Sequence, residues 1–334
     1  MTKTVLLTGV TGFIAKRIAL DLLNAGHNVR GSLRNVARSE EVRDALRPHL
    51  TSPAALNQLS FIELDLTKDD GWTDAMAGVD VVMHTASPFP MASPKDENDL
   101  IRPAIDGTLR ALRAAQSAGV TRVILTSSVA AIEAKDKTDP LGPEDWSDPD
   151  HPIATAYYKS KTLAERAAWD FVADHPEMQL TTINPALVLG APLDQNYGTS
   201  LALIERVMGG KDPAVPSLGF GIVDVADISA MHIASMDKPV SIGNRYIGSS
   251  GSMTMPDMAA YLANAYPDRK ISTRVAPKWL LRVLGIFDPS VRTILPQLGR
   301  RPKFDAQTTE RDLGISFTSV NTAIDRAAAA VARA

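Results

Sequence analysis

Tyr157 and Lys161 stand four residues apart in Ala156-Tyr157-Tyr158-Lys159-Ser160-Lys161, inside a stretch of helical period that runs on to Trp169. At that spacing both side chains leave the same face of a helix. A free phenol, with a pKa of about 10, is a poor partner for proton transfer at neutral pH. A neighbouring ammonium stabilises the phenolate and lowers that value, which turns a tyrosine into a usable general acid or base. A second feature is Thr126-Ser127-Ser128, which follows a short apolar run. A hydroxyl at the end of a strand can hold a carbonyl oxygen where open sheets bind their ligands. Either serine meets that description. A plain surface helix would show the same Tyr/Lys spacing, so the chemical reading rests on the combination.

Thr8-Gly9-Val10-Thr11-Gly12-Phe13-Ile14-Ala15 joins the first apolar run to the first helix-period segment. Glycines in a strand-to-helix turn permit a tight reversal and a close approach to a pyrophosphate, which the helix N-terminus then favours. Ala15 stands where a third glycine is usual, adding one methyl at the helix–strand contact. The second strand-like run ends Ser32-Leu33-Arg34 without an acidic residue, and Arg38 follows. An acid there would bind the ribose hydroxyls of NAD; the planar fork of arginine suits the 2′-phosphate of NADP. NADP(H) is the cofactor expected. Asp65-Leu66, after the third run, is placed to cap the adenine edge.

The elements that must carry these residues follow from the apolar pattern. Thr4–Thr8, Asn28–Arg34, Phe61–Leu64, Val79–His84, Arg122–Thr126 and Leu180–Ile183 are short strand-like runs, several of them continuously apolar as in strands buried on both faces. Helical periods separate them, such as Ile14, Ile18, Leu22 and Leu23, or Ile105, Leu109 and Leu112. This predicts an α/β fold, a doubly wound parallel Rossmann sheet with a smaller, irregular C-terminal substrate region. The expected division is a dinucleotide-binding domain over residues 1–185, with 222–248 returning to it, and a substrate-binding region over 186–221 and 249–334. Gly190–Ser200 and Gly209–Gly221 read as irregular, Pro256–Tyr266, Pro277–Leu284 and Asn321–Arg333 as helices, and acidic Asp136–Pro152 as a surface loop.

Composition removes whole classes of function. With no cysteine in 334 residues, disulfides, thiolate catalysis and Cys-ligated metal are excluded. A net charge of −3 without a dense basic block argues against nucleic acid as a partner. No apolar run approaches the roughly 18–20 residues needed to span a bilayer, and Lys16-Arg17 interrupts the one stretch that hints at a signal peptide. A cytoplasmic chain is expected. The six histidines show no metal-ligand spacing, so no metal is expected, and His84 reads as structural.

Together these residues resemble the extended short-chain dehydrogenase/reductases, most closely their dihydroflavonol reductase-like branch of aldehyde and ketone reductases. The resemblance covers the first 250 residues and rests on TGVTGFIA at 8–15, SLR at 32–34, DL at 65–66, HTASP at 84–88, PAIDGTL at 103–109, LTSS at 125–128, EDWSD at 144–148, YYKSKTLAE at 157–165, NPALVLGAP at 184–192 and VDVAD at 223–227. It implies reduction of a carbonyl by hydride from NADP(H), with Tyr157 as proton donor, Lys161 on the nicotinamide ribose, and Ser128 polarising the carbonyl. It further implies Gly9, Thr11, Gly12, Phe13 and Ile14 around the pyrophosphate and Arg34 and Arg38 on the 2′-phosphate. Asp65 and Leu66 then lie at adenine, Ala86 and Ser87 on the ribose side, Pro185, Ala186, Leu187 and Val188 at the nicotinamide, and Ser200 within reach of the cofactor. The substrate implied is a small carbonyl compound with an apolar body, judged from Leu187, Phe220 and Ile222, and the chain a monomer or small homo-oligomer. Two other readings compete: an NAD-dependent hydroxysteroid or nucleotide-sugar dehydrogenase/epimerase, which Arg34 opposes, and a non-catalytic NADP-sensing protein, which the Tyr157/Lys161 pair opposes.

Overall fold

The computed structural model describes residues 1–88, 96–137 and 139–333. Its strands are β1 (Thr4–Thr8), β2 (Asn28–Leu33), β3 (Leu59–Glu63), β4 (Val81–His84), β5 (Arg122–Thr126), β6 (Gln179–Pro185), β7 (Leu187–Leu189), β8 (Gly219–Asp224), β9 (Arg245–Gly248) and β10 (Gly251–Thr254). Its helices are α1 (Phe13–Asn24), α2 (Ser39–Leu46), α3 (Trp72–Met76), α4 (Asn98–Ser117), α5 (Ala156–Asp174), α6 (Gly198–Met208) and α7 (Val225–Asp237). They continue with α8 (Met255–Ala265), α9 (Lys278–Phe287), α10 (Pro289–Ile294), α11 (Gln307–Leu313) and α12 (Val320–Arg333).

Seven strands form one sheet in the order β3-β2-β1-β4-β5-β6-β9, every pair parallel. Parallel neighbours need crossovers, and the helices that supply them cover both faces of the sheet. Successive strand residues point to opposite faces, and the core divides accordingly. Val5 and Leu7 of β1, Val81 and Met83 of β4 and Ile124 of β5 pack with the Ile18, Leu22 and Leu23 stripe of α1 and with Ile228 and Met231 of α7. Leu6, Val82, Val123 and Leu125 face the other way, onto Ala111, Leu112 and Ala115 of α4 and Trp72 of α3. The strand order reverses between β1 and β4, and there the carboxyl ends of a doubly wound sheet open a crevice for a ligand.

A second sheet, β10-β8-β7, packs with α6, α8 and α12 around its own core, in which Leu201, Ile204, Met258, Leu262 and Ile324 are buried. Two sequence expectations change here. The stretches Gly190–Ser200 and Gly209–Gly221 are less irregular at their ends than their glycines and prolines suggest, since α6 begins at Gly198 and β8 at Gly219. Residues 222–224 pair with β7 and β10 in the small sheet, whereas α7 packs on α1 and β9 closes the edge of the large sheet beside β6. Strands of three or four residues are too short to show a period, which is why β7 and β10 escape sequence reading.

The acidic stretch 136–152 also departs from a plain surface loop. Asp145 and Ser147 are buried. The Asp145 carboxylate accepts from the amines of Lys135 at 2.7 Å and Lys137 at 2.5 Å and from the Gly142 N–H at 2.8 Å. Arg245 of β9 donates to the carbonyls of Pro143 and Asp145, at 2.6 Å each. Thr138 of this stretch lies outside the described residues.

Candidate active site

At the end of β1 the chain reverses through Gly9, whose φ of +67° lies in the left-handed region that favours glycine. A Cβ at Gly9 would meet the Cβ of Ala86 at 3.0 Å, so the turn and the carboxyl end of β4 approach as closely as a missing side chain permits. Gly12 caps α1 without a side-chain hydrogen bond, leaving the first N–H groups of the helix to a ligand. The Thr8 hydroxyl joins the two strand ends by accepting from the N–H groups of Thr85 at 3.1 Å and Ala86 at 3.0 Å. Its own proton is therefore directed to Nδ1 of His84, 2.9 Å away. Burial lowers the His84 pKa to about 4, so the imidazole is neutral at pH 7, as a structural histidine requires.

Between these ends lies a cleft of about 640 Å³ lined by Gly9, Thr11, Gly12, Arg34, Asp65, Leu66, Ala86 and Ser87, all expected from sequence. Leu100 and Pro103 of α4 add an apolar wall that the sequence reading missed, because both fall in a helix whose period reads as core. The Arg34 guanidinium is exposed at the cleft and makes no hydrogen bond or ion pair among the described residues. The Asp65 carboxylate closes a local turn, accepting from the Thr67 N–H at 2.9 Å and hydroxyl at 2.8 Å, and the backbone hydrogen bond leads the causes that lower its pKa.

Ser128, Tyr157 and Lys161 meet beyond the carboxyl end of β5. Ser128 caps the short 3-10 turn Val129–Ala131, its hydroxyl accepting from the Ala130 N–H at 3.1 Å, and it also hydrogen-bonds the Tyr157 phenol. This separates the two serines left open by sequence, since the Ser127 hydroxyl turns away to Glu165 at 2.5 Å. It separates the two tyrosines as well, since the Tyr158 hydroxyl donates to Glu133 at 2.7 Å. Lys161 is buried, with its amine 6.0 Å from the centre of the Tyr157 ring. It lines the same narrow recess as Ala86 and Ser87, which joins it to the cleft.

The electrostatics differ from the simple expectation that Lys161 lowers the Tyr157 pKa. Burial holds the phenol above its usual value; the Ser128 hydrogen bond offsets part of that rise and the Glu133 charge adds to it. Burial also drives Lys161 down to about 8, with Glu165 opposing the fall. In this geometry Tyr157 stays protonated through neutral pH, and Lys161 sits near the point of losing its charge.

The remaining expected residues lie outside the cleft lining. Arg38 is taken by Glu41 in a bidentate pair at 2.8 and 2.9 Å. Phe13 and Ile14 pack into the core from the first turn of α1. Pro185 ends β6, and Ala186 shares a small cluster with Val129 and Ile132 beside Ser128. Leu187 and Val188 belong to β7, and Ser200 lies in the first turn of α6. Among the described residues no group of three or more His, Asp and Glu side chains is placed to hold a metal ion, and no helix is long and apolar enough to cross a membrane.

A family model described as the NAD dependent epimerase/dehydratase family matches residues 5–246. The chain is 31% identical over 279 residues to a dihydroflavonol 4-reductase of Zea mays, covering 81% of this chain and 76% of that protein. It is 33% identical over 283 residues to tetraketide alpha-pyrone reductase 2 of Arabidopsis thaliana, covering 82% and 86%. Among solved structures, yeast methylglyoxal/isovaleraldehyde reductase Gre2 complexed with NADPH superposes with a TM-score of 0.82 at 26% identity, covering 99% of this chain and 98% of that one.

Proposed function

From the membership of this chain in the NAD dependent epimerase/dehydratase family, we propose that it is an NADPH-dependent reductase that converts an aldehyde or ketone to an alcohol. The observation that carries the reading is the meeting of Ser128, Tyr157 and Lys161 at the carboxyl edge of the sheet, beside a cleft bounded by a glycine turn and a free arginine. The residues fit a dinucleotide. The positive φ of Gly9 and its close approach to Ala86 make a cradle that a Cβ would fill, and Arg34 has no other partner to satisfy. In this reading the N–H groups opening α1 hold the pyrophosphate, Arg34 the 2′-phosphate, and Asp65 and Leu66 flank adenine. Arg38, whose Nε/Nη2 edge is paired with Glu41, would be the weaker contributor beside Arg34.

NADPH, when bound, supplies the hydride that reaches the carbonyl carbon. The residues of the chain manage the proton and the charge. Neutral Tyr157 donates its proton to the carbonyl oxygen as negative charge develops there, and the Ser128 hydroxyl holds that oxygen in line. Burial keeps the phenol in its protonated form at neutral pH, so the proton is present to be given, and the phenolate that forms then depends on Ser128 and Lys161 for its stabilisation. Lys161, whose amine makes no hydrogen bond among the described residues, is free to hold the ribose hydroxyls and to stabilise the phenolate left behind.

With β8 moved to the substrate region, the same reading assigns residues 1–185 with 225–248 to the cofactor and 186–224 with 249–334 to the substrate, and describes a cytoplasmic monomer or small homo-oligomer that binds no nucleic acid. The test is oxidation of NADPH and NADH by the purified protein against a panel of apolar aldehydes and ketones, with Tyr157→Phe alongside. NADPH consumption that falls by roughly 10²–10⁴-fold in the variant, with NADPH binding retained, is the expected result. Cofactor binding without turnover in either protein would instead favour a dinucleotide-sensing role.

A further inference from the structure

Glu165 lies one helical turn beyond Lys161 on α5, and its side chain is 0% exposed. Five donors converge on its carboxylate. One oxygen accepts from the Ser127 hydroxyl at 2.5 Å and the Asn184 amide at 2.7 Å. The other accepts from Nε of Arg245 at 2.7 Å, the Thr182 hydroxyl at 3.1 Å and the Trp169 indole at 3.4 Å. The donors belong to the carboxyl end of β5, to β6, to β9 and to α5 itself. The Asn184 amide also donates to the Ser128 carbonyl at 3.1 Å. One buried carboxylate therefore grips the Ser127-Ser128 peptide twice, directly and through Asn184, from the helix that carries Tyr157 and Lys161.

A bare stability role explains this poorly. A buried ion pair loses so much hydration that apolar side chains of equal volume often serve the fold as well. The other donors on Glu165 fix its two oxygens in direction, and what they fix is the offset between the serine turn and the helix.

We propose that Glu165 is a positioning residue for the reduction: it sets the separation of Ser128 from the Tyr157/Lys161 pair and supplies the negative charge that keeps the Lys161 amine protonated. The inference rests on the roles given above to Ser128, Tyr157 and Lys161. The surroundings of Lys161 support it. His84 faces it from β4 and is neutral, Thr108 faces it from α4, Thr126 from the end of β5 and Ser127 from just beyond it, and Tyr157 precedes it by one turn. The Lys159–Glu97 pair between α5 and α4 is exposed, at 2.7 Å. Glu165 is thus the anion that opposes the downward push of burial on Lys161, and Arg245, held over the Trp146 ring at 3.7 Å, balances Glu165 from the far side.

Glu165→Gln alone strands the Arg245 cation and endangers folding, so the decisive variant removes both charges, Glu165→Gln with Arg245→Met. Ser127→Ala, which keeps the ion pair and loses one grip on the serine turn, is the second. Each is compared with wild type for thermal midpoint, kcat, KM for NADPH, and the pH dependence of kcat/KM. The double variant is expected to lose kcat by about tenfold or more, to keep its KM for NADPH within about twofold, and to bring the basic limb of its profile to lower pH by about one unit. Ser127→Ala is expected to lose kcat about three- to tenfold with the basic limb unmoved. A folded double variant with wild-type kcat and profile would overturn the proposal. Should that variant not fold, wild-type kcat in Ser127→Ala overturns it equally. Tyr157→Phe in the same series separates the two levels. If Tyr157→Phe stays active, the proposed function and this inference fall together. If it is inactive while the Glu165 and Ser127 variants match wild type, the inference alone fails.

Discussion

Arg34 and Arg38 look interchangeable in a sequence and are not in the structure. Arg34 is exposed at the cleft with its fork free, while Arg38 gives its Nε/Nη2 edge to Glu41. A charge-assisted contact to phosphate contributes roughly 1.5–3 kcal/mol. Arg34→Asp is therefore expected to reduce the ratio of kcat/KM for NADPH to that for NADH by about 10- to 100-fold, and Arg38→Ala to change it far less. Equal ratios for Arg34→Asp and wild type would remove Arg34 from the phosphate site. The signal separating the two was present in the sequence, since an Arg and a Glu three apart at a helix start commonly pair. The Tyr157/Lys161 spacing was legible for the same reason, because one helical turn fixes geometry locally. The direction of the Tyr157 pKa was not. It depends on burial and on Glu133, which arrives from a segment 24 residues away in the chain.

The element that brings the site together is the turn from β1 into α1, and its tightness has a measurable consequence. An alanine at position 9 would have to adopt a φ near +67° and press its Cβ against Ala86. The left-handed conformation alone costs an L-residue about 1–2 kcal/mol. Gly9→Ala is expected to weaken NADPH binding about tenfold, read as Kd by titration, and to leave the Tyr157–Ser128 end of the site intact. Unchanged affinity would mean that the turn is not the pyrophosphate cradle. At this scale sequence reading did best where a strand is buried on both faces. β1 and β5 begin and end where their apolar runs do, at Thr4–Thr8 and Arg122–Thr126. It did worst with β7, β10 and α6, whose glycine-rich surroundings hide their packing, and with Asp145, which is drawn inside by two lysines and a backbone N–H that a composition count cannot place.

The whole molecule carries two buried neutral histidines that set its tolerance to acid. Nδ1 of His232 donates to the Ile228 carbonyl at 2.8 Å, which leaves Nε2 to accept from the Thr126 hydroxyl at 2.7 Å. Burial lowers both His232 and His84 to about 4 from 6.5. Between those values the unfolded chain binds protons that the folded chain refuses, so stability is present above pH 6.5 and is lost as pH falls towards 4. The loss is on the order of 3 kcal/mol for each histidine. The urea midpoint is expected to drop steeply from pH 6.5 to 4.5, and a His232→Gln variant, weaker at pH 7, to show a shallower drop. Parallel slopes would dissociate His232 from the acid limb. Arg245 bears on the order in which the molecule is made. It opens β9, the last strand to join the large sheet, and it also neutralises Glu165. As the chain leaves the ribosome, the edge of β6 stays bare and Glu165 stays without its counter-ion until residue 245 has emerged, some 60 residues after β6 is complete. Closing the sheet and neutralising the buried Glu165 are then one late event, and a nascent chain stopped short of it would offer an open, sticky edge beside an unpaired buried charge.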